Sequence, residues 1–556
     1  MLEGCVPWPA EYARRYRAEG YWEEKTLVEK LEEVIAEVPD KEALVCEETR
    51  VTYRQMGDNI DRLALHFVKL GLRPGDRVVL QLPNIIQFVY AFFGLTKIGV
   101  IPIMALPPHR NTEIGYFLKH SDAVGYVIPS EWRRFNYVKM AEELRKEAPQ
   151  LKFVFVAGSP VPPGMVSIDE LLATPIEDQY PSDFLRKFRP DPYDVGLINL
   201  SGGTTALPKL IPRTHNDYVY NAKESGIAAG LNSDTVLMAV LPIAHNYTLG
   251  TCGMIGTWYH KGKVIISASF DAATAFSLIQ KEKVTVIPAA IPVIILWLNS
   301  EEAVHYDLSS LKAIQNGGAR LAPELRKRVR EKFHCVPQES YGTSEGLTNL
   351  VRLDDPEDMV MESSGRPISP ADEVKVIDDN GRTLPPGEQG ELVTRGPYTI
   401  RGYYRAPEYN KTAWTEDGFY KTGDIVTMNE RGYIFNAGRK KEVINRGGEK
   451  INVAEVENLI LGHPKVKNVA IVAMSDPVYL EKACAYIIPK EGEAITFQAI
   501  VDFLLTKNIA KFKLPERVEV VPEFPLSPAG KILKRELKAD IEKKLEEERK
   551  AKGKQG

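Results

Sequence analysis

Short apolar runs that alternate with helix-like segments restrict the possible folds of this chain more than any other feature. The runs occupy residues 77–82, 123–128, 153–156, 195–200, 235–240, 264–266 and 284–287. Their continuous apolar character predicts strands that are buried on both faces. Between many of them lie segments with apolar residues three and four positions apart, such as 53–70 and 272–281, which predict helices. Because alternating strands and helices pack into parallel sheets, the sequence predicts an α/β fold with largely parallel sheets.

The length of 556 residues indicates more than one domain, since a single hydrophobic core rarely serves so long a chain. From about residue 367 the pattern changes to short alternating strands with Gly and Pro turns, which predicts a β-rich subdomain over 367–438. We therefore predict a large N-terminal domain over 1–438 and a small, mobile α+β domain over 439–556. The charged tail, 539–556, is expected to be a helix in solvent that frays at its end.

The composition argues against several kinds of partner. Formal net charge is −4, with 71 basic and 75 acidic residues, so no basic field exists to hold nucleic acid or an anionic membrane. Five cysteines without CxxC spacing argue against a disulfide framework or a zinc site, and they favour a reducing cytoplasm. The N-terminus lacks the apolar core of a signal peptide, and the apolar stretch 284–298 is shorter than the ~20 residues that cross a bilayer. We expect a cytoplasmic protein.

A loop rich in glycine and threonine directly follows the predicted strand at 195–200. It reads Ser201-Gly202-Gly203-Thr204-Thr205-Ala206-Leu207-Pro208-Lys209. Small residues let the backbone approach a polyphosphate, and backbone N–H groups, hydroxyls and the lysine supply hydrogen-bond donors. The GxxxxGK[ST] spacing of nucleotide triphosphatases is absent. Taken alone, the loop fits a phosphate site and an ordinary surface turn equally well.

Five further motifs follow this loop along the chain. They are Tyr341-Gly342-Thr343-Ser344-Glu345, Tyr420-Lys421-Thr422-Gly423-Asp424, Gly438-Arg439-Lys440, Asn445-Arg446-Gly447-Gly448-Glu449-Lys450 and Pro528-Ala529-Gly530-Lys531. With the loop, they resemble in identity and order the motifs of the acyl-adenylate-forming (ANL) enzymes. That superfamily includes acyl-CoA synthetases, luciferases and the adenylation domains of peptide synthetases. The six motifs cover nearly the whole chain.

A narrower resemblance is to stand-alone ligases that activate aryl acids. It is carried by residues 7–12, 20–22, 209–215, 245–247, 395–404 and 444–450. These runs are similar to those of the 2,3-dihydroxybenzoate-AMP and salicylate-AMP ligases of siderophore pathways.

The resemblance implies a reaction in two steps. ATP, with Mg²⁺, activates an aryl acid such as 2,3-dihydroxybenzoate or salicylate as its adenylate, and pyrophosphate leaves. The acyl group then passes to the phosphopantetheine thiol of a carrier protein that is a separate chain. Three alternatives stay open: an aryl-CoA ligase that uses coenzyme A, a non-catalytic binding relative and a luciferase-like oxygenase, since a fold alone does not set a function.

Three residues are implied to be catalytic. Lys531 would bridge the substrate carboxylate and the α-phosphate, because a compact ammonium group suits charge that develops on both oxygens. Glu345, together with Thr205, would bind Mg²⁺, which prefers oxygen ligands. His245 resembles the family histidine that closes the site and admits the thiol.

The resemblance also assigns an ATP site. The residues implied to contact phosphate are Ser201, Gly202, Gly203, Thr204, Thr205 and Lys209. Those implied to surround the adenine are Gly317, Gly318, Ala319, Tyr341, Gly342 and Thr343. Asp424 would accept hydrogen bonds from the ribose hydroxyls, as acidic residues do in other nucleotide sites, and Arg439 would donate to the ribose or the phosphates.

The aryl-acid pocket is implied to contain Asn246, Tyr247 and Thr251, completed by Gly318 and Lys531. An apolar pocket with one amide suits a planar ring with a hydrogen-bonding ortho substituent. Adenylation domains of peptide synthetases typically carry an aspartate that holds the α-amino group, so the neutral Asn246 disfavours an amino acid substrate.

Two lysines are implied to serve the change between the two steps. Lys440 lies where the family has its hinge residue, and Lys450 would face the site during thiol transfer, as expected of a hinge closure. The chain departs from the family at Ala206, where relatives usually have glycine. Alanine is costly there if the backbone needs a positive φ, and we expect a loop with negative φ.

Overall fold

The computed structural model describes residues 1–201, 208–446, 449–507, 509–528 and 530–552. The strands in chain order are β1 (Glu42–Cys46), β2 (Thr49–Thr52), β3 (Arg77–Leu80), β4 (Ile101–Met104), β5 (Gly125–Pro129), β6 (Glu131–Trp132), β7 (Phe135–Asn136), β8 (Phe153–Ala157), β9 (Val166–Ser167), β10 (Val195–Leu200), β11 (Leu210–Thr214), β12 (Val236–Ala239), β13 (Lys263–Ile266), β14 (Val286–Ala289), β15 (Ala313–Gly317), β16 (Val336–Gly342), β17 (Thr348–Leu350), β18 (Arg366–Pro367), β19 (Glu373–Ile377), β20 (Gly390–Arg395), β21 (Tyr420–Met428), β22 (Ile434–Arg439), β23 (Ile444–Arg446), β24 (Glu449–Ile451), β25 (Val466–Asp476), β26 (Leu480–Pro489) and β27 (Arg517–Val520).

The α-helices are α1 (Ala10–Ala18), α2 (Leu27–Glu37), α3 (Tyr53–Leu70), α4 (Ile86–Lys97), α5 (Asn111–Ser121), α6 (Tyr137–Glu147), α7 (Ile168–Ala173), α8 (His215–Ala228), α9 (Asn246–Leu249), α10 (Met254–Tyr259), α11 (Ala272–Glu282), α12 (Ile291–Asn299), α13 (Pro323–Phe333), α14 (Glu357–Glu362), α15 (Pro407–Ala413), α16 (Val453–Leu461), α17 (Phe497–Thr506) and α18 (Lys534–Lys552). Within the described part of the chain, no helix is both long and apolar enough to span a bilayer.

Two large sheets build the N-terminal domain. One has nine strands in the order β18-β17-β16-β15-β14-β12-β13-β1-β2, and the other has seven in the order β11-β10-β4-β3-β5-β8-β9. Their central strands are parallel, and antiparallel pairs lie at the edges. The predicted parallel-rich α/β architecture is confirmed.

Individual elements follow the sequence pattern closely, and their ends differ from the predicted ones by one or two residues in several strands, such as β5 and β14. β10 and α3 occupy the predicted ranges, 195–200 and 53–70. β14 begins at Val286, two residues later than predicted; the N–H of Val284 instead donates to the carbonyl of Ile279 in α11 (3.2 Å). α3 begins where Thr52 and Gln55 form a capping box that satisfies the first backbone N–H groups.

The β-rich subdomain is a four-stranded antiparallel sheet in the order β19-β20-β21-β22. Its last strand runs through Gly438 and ends at Arg439, whose backbone pairs with Asp424 of β21. Gly438 has a φ of +121°, a conformation that favours glycine. The neighbouring backbones of β21 and β22 therefore bring the Asp424 and Arg439 side chains together.

The C-terminal domain has its own sheet, in the order β24-β23-β26-β25 with β27 beside β26, and its own apolar core. Its last helix, α18, begins at Lys534 and therefore includes residues before the predicted tail. The expectation of a helix in solvent is wrong for its first turns, because Leu537 and Ile541 are buried against β25 and β26. These two residues lie four apart and face the sheet together.

Candidate active site

Loops at the carboxyl ends of parallel strands meet the β-rich sheet and one turn of the C-terminal domain. Gly317 ends β15, Gly342 ends β16, and His245 lies in the loop that follows β12. In open α/β sheets, ligands bind at this edge. The predicted residues therefore converge from distant parts of the sequence.

Asp424 lies at the centre of a polar cluster on the β-rich sheet. Its Oδ1 is 2.7 Å from Arg439 Nε, and its Oδ2 accepts a hydrogen bond of 2.6 Å from the Tyr341 hydroxyl. Burial raises the pKa of Asp424, whereas Arg439 opposes that rise. Asp424 and Tyr341, both predicted to bind the nucleoside, thus form one hydrogen-bonded unit with Arg439.

Glu345 stands on a tight turn between β16 and β17. Gly346, at a φ of +123°, allows that turn, because a Cβ there would lie 2.4 Å from the backbone of Thr399. The Tyr403 hydroxyl donates to Glu345 Oε1 at 2.7 Å, and both residues are buried. Thr343 closes the turn, since its hydroxyl donates to the carbonyl of Gly346 at 2.6 Å. Tyr403 therefore holds the carboxylate of Glu345, and the bond from Thr343 holds the backbone turn that carries it.

Lys531 reaches this site from the C-terminal domain. A turn from Ser527 to Lys531, closed by a backbone bond of 2.7 Å and by Gly530 at a φ of +76°, presents the lysine. Its Cε lies 3.4 Å from the position that a Cβ on Gly318 would occupy. Burial lowers the pKa of Lys531, Arg439 lowers it further, and the carboxylates of Asp424 and Glu345 oppose the change. The C-terminal domain thus places the ammonium group of Lys531 near the polar groups of the N-terminal domain.

His245 and Tyr247 line the site beside Lys531. His245 Nδ1 accepts the backbone N–H of Tyr247 at 3.2 Å and so caps α9. Burial lowers the pKa of His245 to about 4, and Lys531 contributes to the shift, so the imidazole is neutral. The Tyr247 ring packs against Gly317, where a Cβ would lie 2.5 Å from the ring. Glycine at 317 is therefore required by the position of this aromatic ring.

Asn246 belongs to a buried network that the sequence did not reveal. Its Oδ1 accepts hydrogen bonds from Asn199 Nδ2 (2.9 Å) and from the Tyr218 hydroxyl (2.8 Å). Its Nδ2 lies 3.4 Å from the hydroxyl oxygen of Thr251. Thr251 thus lies beside Asn246, as their proximity in sequence suggests.

The turn that follows β15 is held by a buried carboxylate. Asn316 Nδ2 donates to the carbonyl of Ala319 (2.6 Å) and to Glu339 Oε2 (2.9 Å). Glu339 in turn forms a buried ion pair with Arg326 at 3.2 Å. Gly318, at a φ of +91°, and Ala319 are exposed at the tip of this turn.

Only the two ends of the glycine and threonine loop are described. The Ser201 N–H donates to the carbonyl of Lys209 (2.9 Å), and the Lys209 N–H donates to Ser201 Oγ (2.9 Å). The Lys209 ammonium lies 3.8 Å from the centre of the Tyr409 ring, a cation–π contact. The predictions for Gly202, Gly203, Thr204, Thr205 and Ala206 concern residues that lie outside the described part of the chain.

The two lysines assigned to the domain movement lie after β22. Lys440 forms ion pairs with Asp379 (2.9 Å) and Glu391 (3.0 Å) of the β-rich subdomain. Lys450 lies in β24, opposite Asn445, and its side chain is outside the described part.

Several residues that hold the site were not singled out as functional from the sequence, among them Tyr403, Tyr218, Asn199, Asn316 and Glu339. Tyr403 lies in the run 395–404 that carried the family resemblance, so a signal for it was present. Asn199 and Tyr218 carried no such signal. Their contacts to Asn246 join residues 47 and 28 positions apart, which only the folded chain brings together.

Comparison with known proteins gives a consistent result. Residues 31–404 match the AMP-binding enzyme family, and residues 455–531 match the AMP-binding enzyme C-terminal domain. The 2,3-dihydroxybenzoate-AMP ligase of Bacillus subtilis (strain 168) is 43% identical over 545 residues, which cover 98% of this chain and 99% of that protein. The salicylyl-CoA synthase / salicylate adenylyltransferase of a Streptomyces species is 40% identical and covers 96% of this chain and 97% of that protein.

A solved structure shows the same architecture. The anthranilate CoA ligase AuaEII in complex with anthranoyl-AMP has a TM-score of 0.83 and 25% identity, and the match covers 93% of this chain and 97% of that one. The chain therefore belongs to the AMP-binding enzyme family and is a ligase. Within that family it groups with the aryl-acid ligases, which confirms the resemblance seen in its motifs.

Proposed function

We propose that this enzyme uses ATP to convert an aryl carboxylic acid, 2,3-dihydroxybenzoate or salicylate in the first instance, into its adenylate with release of pyrophosphate. It then transfers the acyl group to the phosphopantetheine thiol of a separate carrier protein, as in siderophore biosynthesis. The position of Lys531 carries this proposal. The lysine lies against Gly318 and within the electrostatic influence of Asp424 and Glu345, although it belongs to the other domain.

The chain's own residues account for the first step. The substrate carboxylate attacks the α-phosphorus of ATP, and the bond from that phosphorus to the pyrophosphate oxygen breaks. Lys531 stabilises negative charge on the carboxylate and α-phosphate oxygens as the new bond forms. Asp424 accepts the ribose hydroxyls, Tyr341 contacts the adenine beside the turn at Gly317, Gly318 and Ala319, and Arg439 binds the ribose or phosphate oxygens.

Glu345 is suited to hold Mg²⁺. Its carboxylate is buried. Among the described residues, the Tyr403 hydroxyl is the one side-chain group that donates a hydrogen bond to it, at Oε1. No group of three or more acidic, histidine or cysteine side chains suited to a metal occurs in the described part of the chain, which fits a cation held mainly by phosphates and water. When bound, Mg²⁺ neutralises phosphate charge during the displacement. Thr205 and the loop from Ser201 to Lys209 would supply further phosphate contacts.

The pocket favours an aromatic acid without an ammonium group over an amino acid. Asn246 contributes an uncharged amide, Tyr247 contributes a ring packed on Gly317, and Thr251 contributes a hydroxyl beside Asn246. An α-ammonium group would need a carboxylate partner in a buried site. The two relatives reported above are named for 2,3-dihydroxybenzoate and salicylate, which supports the same substrate class.

The second step needs a different arrangement of the two domains. We assign the domains to residues 1–438 and 439–556, with the hinge at Lys440, whose ion pairs to Asp379 and Glu391 hold the present arrangement. Rotation about this point would withdraw Lys531, bring Lys450 to the site and let the thiol enter past His245. Coenzyme A carries the same thiol arm, and the relative named a salicylyl-CoA synthase supports it as the second candidate acceptor. All five cysteine thiols are free, which supports a reducing compartment such as the cytoplasm.

The test is ATP–pyrophosphate exchange with a panel of acids: 2,3-dihydroxybenzoate, salicylate, 3-hydroxybenzoate, benzoate, phenylalanine and a medium-chain fatty acid. We expect exchange with the first two. Exchange restricted to phenylalanine or the fatty acid would refute the aryl substrate, and no exchange with any acid would favour the non-catalytic alternative. Acyl transfer to a phosphopantetheinylated carrier protein or to coenzyme A, measured in parallel, decides the acceptor.

A further inference from the structure

The amide of Asn246 has a fixed direction. A carbonyl oxygen has two lone pairs, and Oδ1 already accepts from Asn199 Nδ2 at 2.9 Å and from the Tyr218 hydroxyl at 2.8 Å. Among the described residues, Nδ2 has only the long contact of 3.4 Å to Thr251. The side of the amide that is left to bind a ligand therefore donates hydrogen bonds and does not accept them.

The two groups that fix this direction have little freedom to move. Tyr218 is fully buried on α8, and its hydroxyl lies so close to Gly250, the residue that follows α9, that a Cβ on Gly250 would be only 2.3 Å away. Asn199 is buried in β10, where its backbone pairs with Ile211. A flip of the Asn246 amide would place its Nδ2 against Asn199 Nδ2 and would leave the hydrogen of the Tyr218 hydroxyl without its acceptor, and buried polar groups left unpaired are costly.

This direction matters because ortho-substituted benzoates differ in what they present. In a 2-hydroxybenzoate, the hydroxyl hydrogen bonds to the adjacent carboxylate, so an oxygen lone pair faces outward. In a 2-aminobenzoate, one N–H makes that internal bond and the second N–H faces outward. A donor at Asn246 therefore pairs with the hydroxyl compound and opposes the amine.

We propose that Asn199 and Tyr218 are positioning residues that hold Asn246 as a pure donor, and that the enzyme thereby selects 2-hydroxybenzoates against 2-aminobenzoates of nearly the same shape. This proposal rests on the aryl-acid activation proposed above. The direction of one amide would then decide between an ortho oxygen and an ortho nitrogen. The shape of the ring alone would accept both the 2-hydroxybenzoate and the 2-aminobenzoate.

The expected preference follows from the cost of placing two hydrogen-bond donors, Asn246 Nδ2 and the N–H of the 2-aminobenzoate, opposite each other in a buried site. Leaving a buried donor unpaired costs about 1–3 kcal/mol, which corresponds to about 5- to 150-fold in kcat/KM between the two acids. Tyr218→Phe removes one of the two anchors of Oδ1 and should reduce the ratio several-fold. Asn246→Asp places an acceptor toward the ligand and should reverse the preference.

The experiment measures the ratio of kcat/KM for salicylate to that for anthranilate by ATP–pyrophosphate exchange. The variants are Tyr218→Phe, Asn246→Asp and, as a matched control, Tyr220→Phe. Tyr220 is also buried on α8, but its hydroxyl pairs with Ser369 (2.6 Å) outside the site, so its loss should leave the ratio unchanged.

A ratio well above one in the unaltered enzyme that falls in Tyr218→Phe and reverses in Asn246→Asp would support the proposal. Equal use of the two acids, or a preference for anthranilate in the unaltered enzyme, would overturn it while leaving aryl-acid activation intact. That outcome needs no variant, so a poorly folded Tyr218→Phe protein does not rescue the idea. Exchange with no aryl acid at all would instead refute the proposed function, and this inference with it.

Discussion

Tyr403→Phe offers a sharp test of how the candidate Mg²⁺ ligand is held. The change removes one hydroxyl, which donates 2.7 Å to Glu345 Oε1 and lies 3.1 Å from the Tyr420 hydroxyl. All three side chains are buried, and water cannot easily replace the lost donor. The substitution should therefore free the carboxylate from a defined position without altering the shape of the core.

The expected magnitude follows from the charge on the acceptor. Hydrogen bonds to charged groups contribute about 1.5–3 kcal/mol, which is on the order of 10- to 100-fold in an equilibrium constant. We expect only part of this in metal binding, so the Mg²⁺ concentration that gives half-maximal exchange should rise about 10-fold. The dissociation constant of the ATP complex with Mn²⁺ as a spectroscopic substitute, measured by electron paramagnetic resonance, should rise in parallel.

Tyr404→Phe is the matched control. Tyr404 is the neighbouring residue and is equally buried, but its hydroxyl has no hydrogen-bond partner in the described part of the chain. The Tyr404→Phe variant should therefore bind the metal as the unaltered enzyme does. If Tyr403→Phe and Tyr404→Phe gave the same metal dependence, the idea that Tyr403 positions Glu345 would be wrong.

Three further predictions follow from the site. Lys531→Ala should slow adenylate formation at least about 100-fold in the exchange assay, yet transfer from pre-formed aryl-adenylate to the thiol should persist. The pKa of His245 falls from 6.5 to about 4 on folding, so its contribution to stability is complete above pH 6.5 and is lost as the pH falls toward 4. Between pH 7 and 5, the free energy of unfolding in urea should therefore decrease less for the His245→Gln variant than for the unaltered enzyme. Gly317→Ala should raise KM for the aryl acid about 10-fold or more, since the new Cβ would lie 2.5 Å from the Tyr247 ring, whereas Gly115→Ala, at 3.4 Å from Leu144, should not.

The sequence predicted the architecture well because the signals are local and repeated. Parallel strands buried on both faces need continuous apolar runs, and β10 coincides with one of them. The predicted tail is an exception. Charge alone placed residues 539–556 in solvent, but Ile541 is fully buried, since the few apolar residues of an otherwise charged helix are enough to bind it to a sheet.

The sequence by itself determined the fold class and the family, and it supplied most of the residues proposed for the site, because these depend on short motifs and on periodicity along the chain. Only the tertiary structure decided how those residues are held. The bond of Tyr403 to Glu345 and the two bonds to Asn246 Oδ1 join side chains from separate elements. Hydrogen bonds depend on distance and direction in space, and a sequence records neither until the chain is folded.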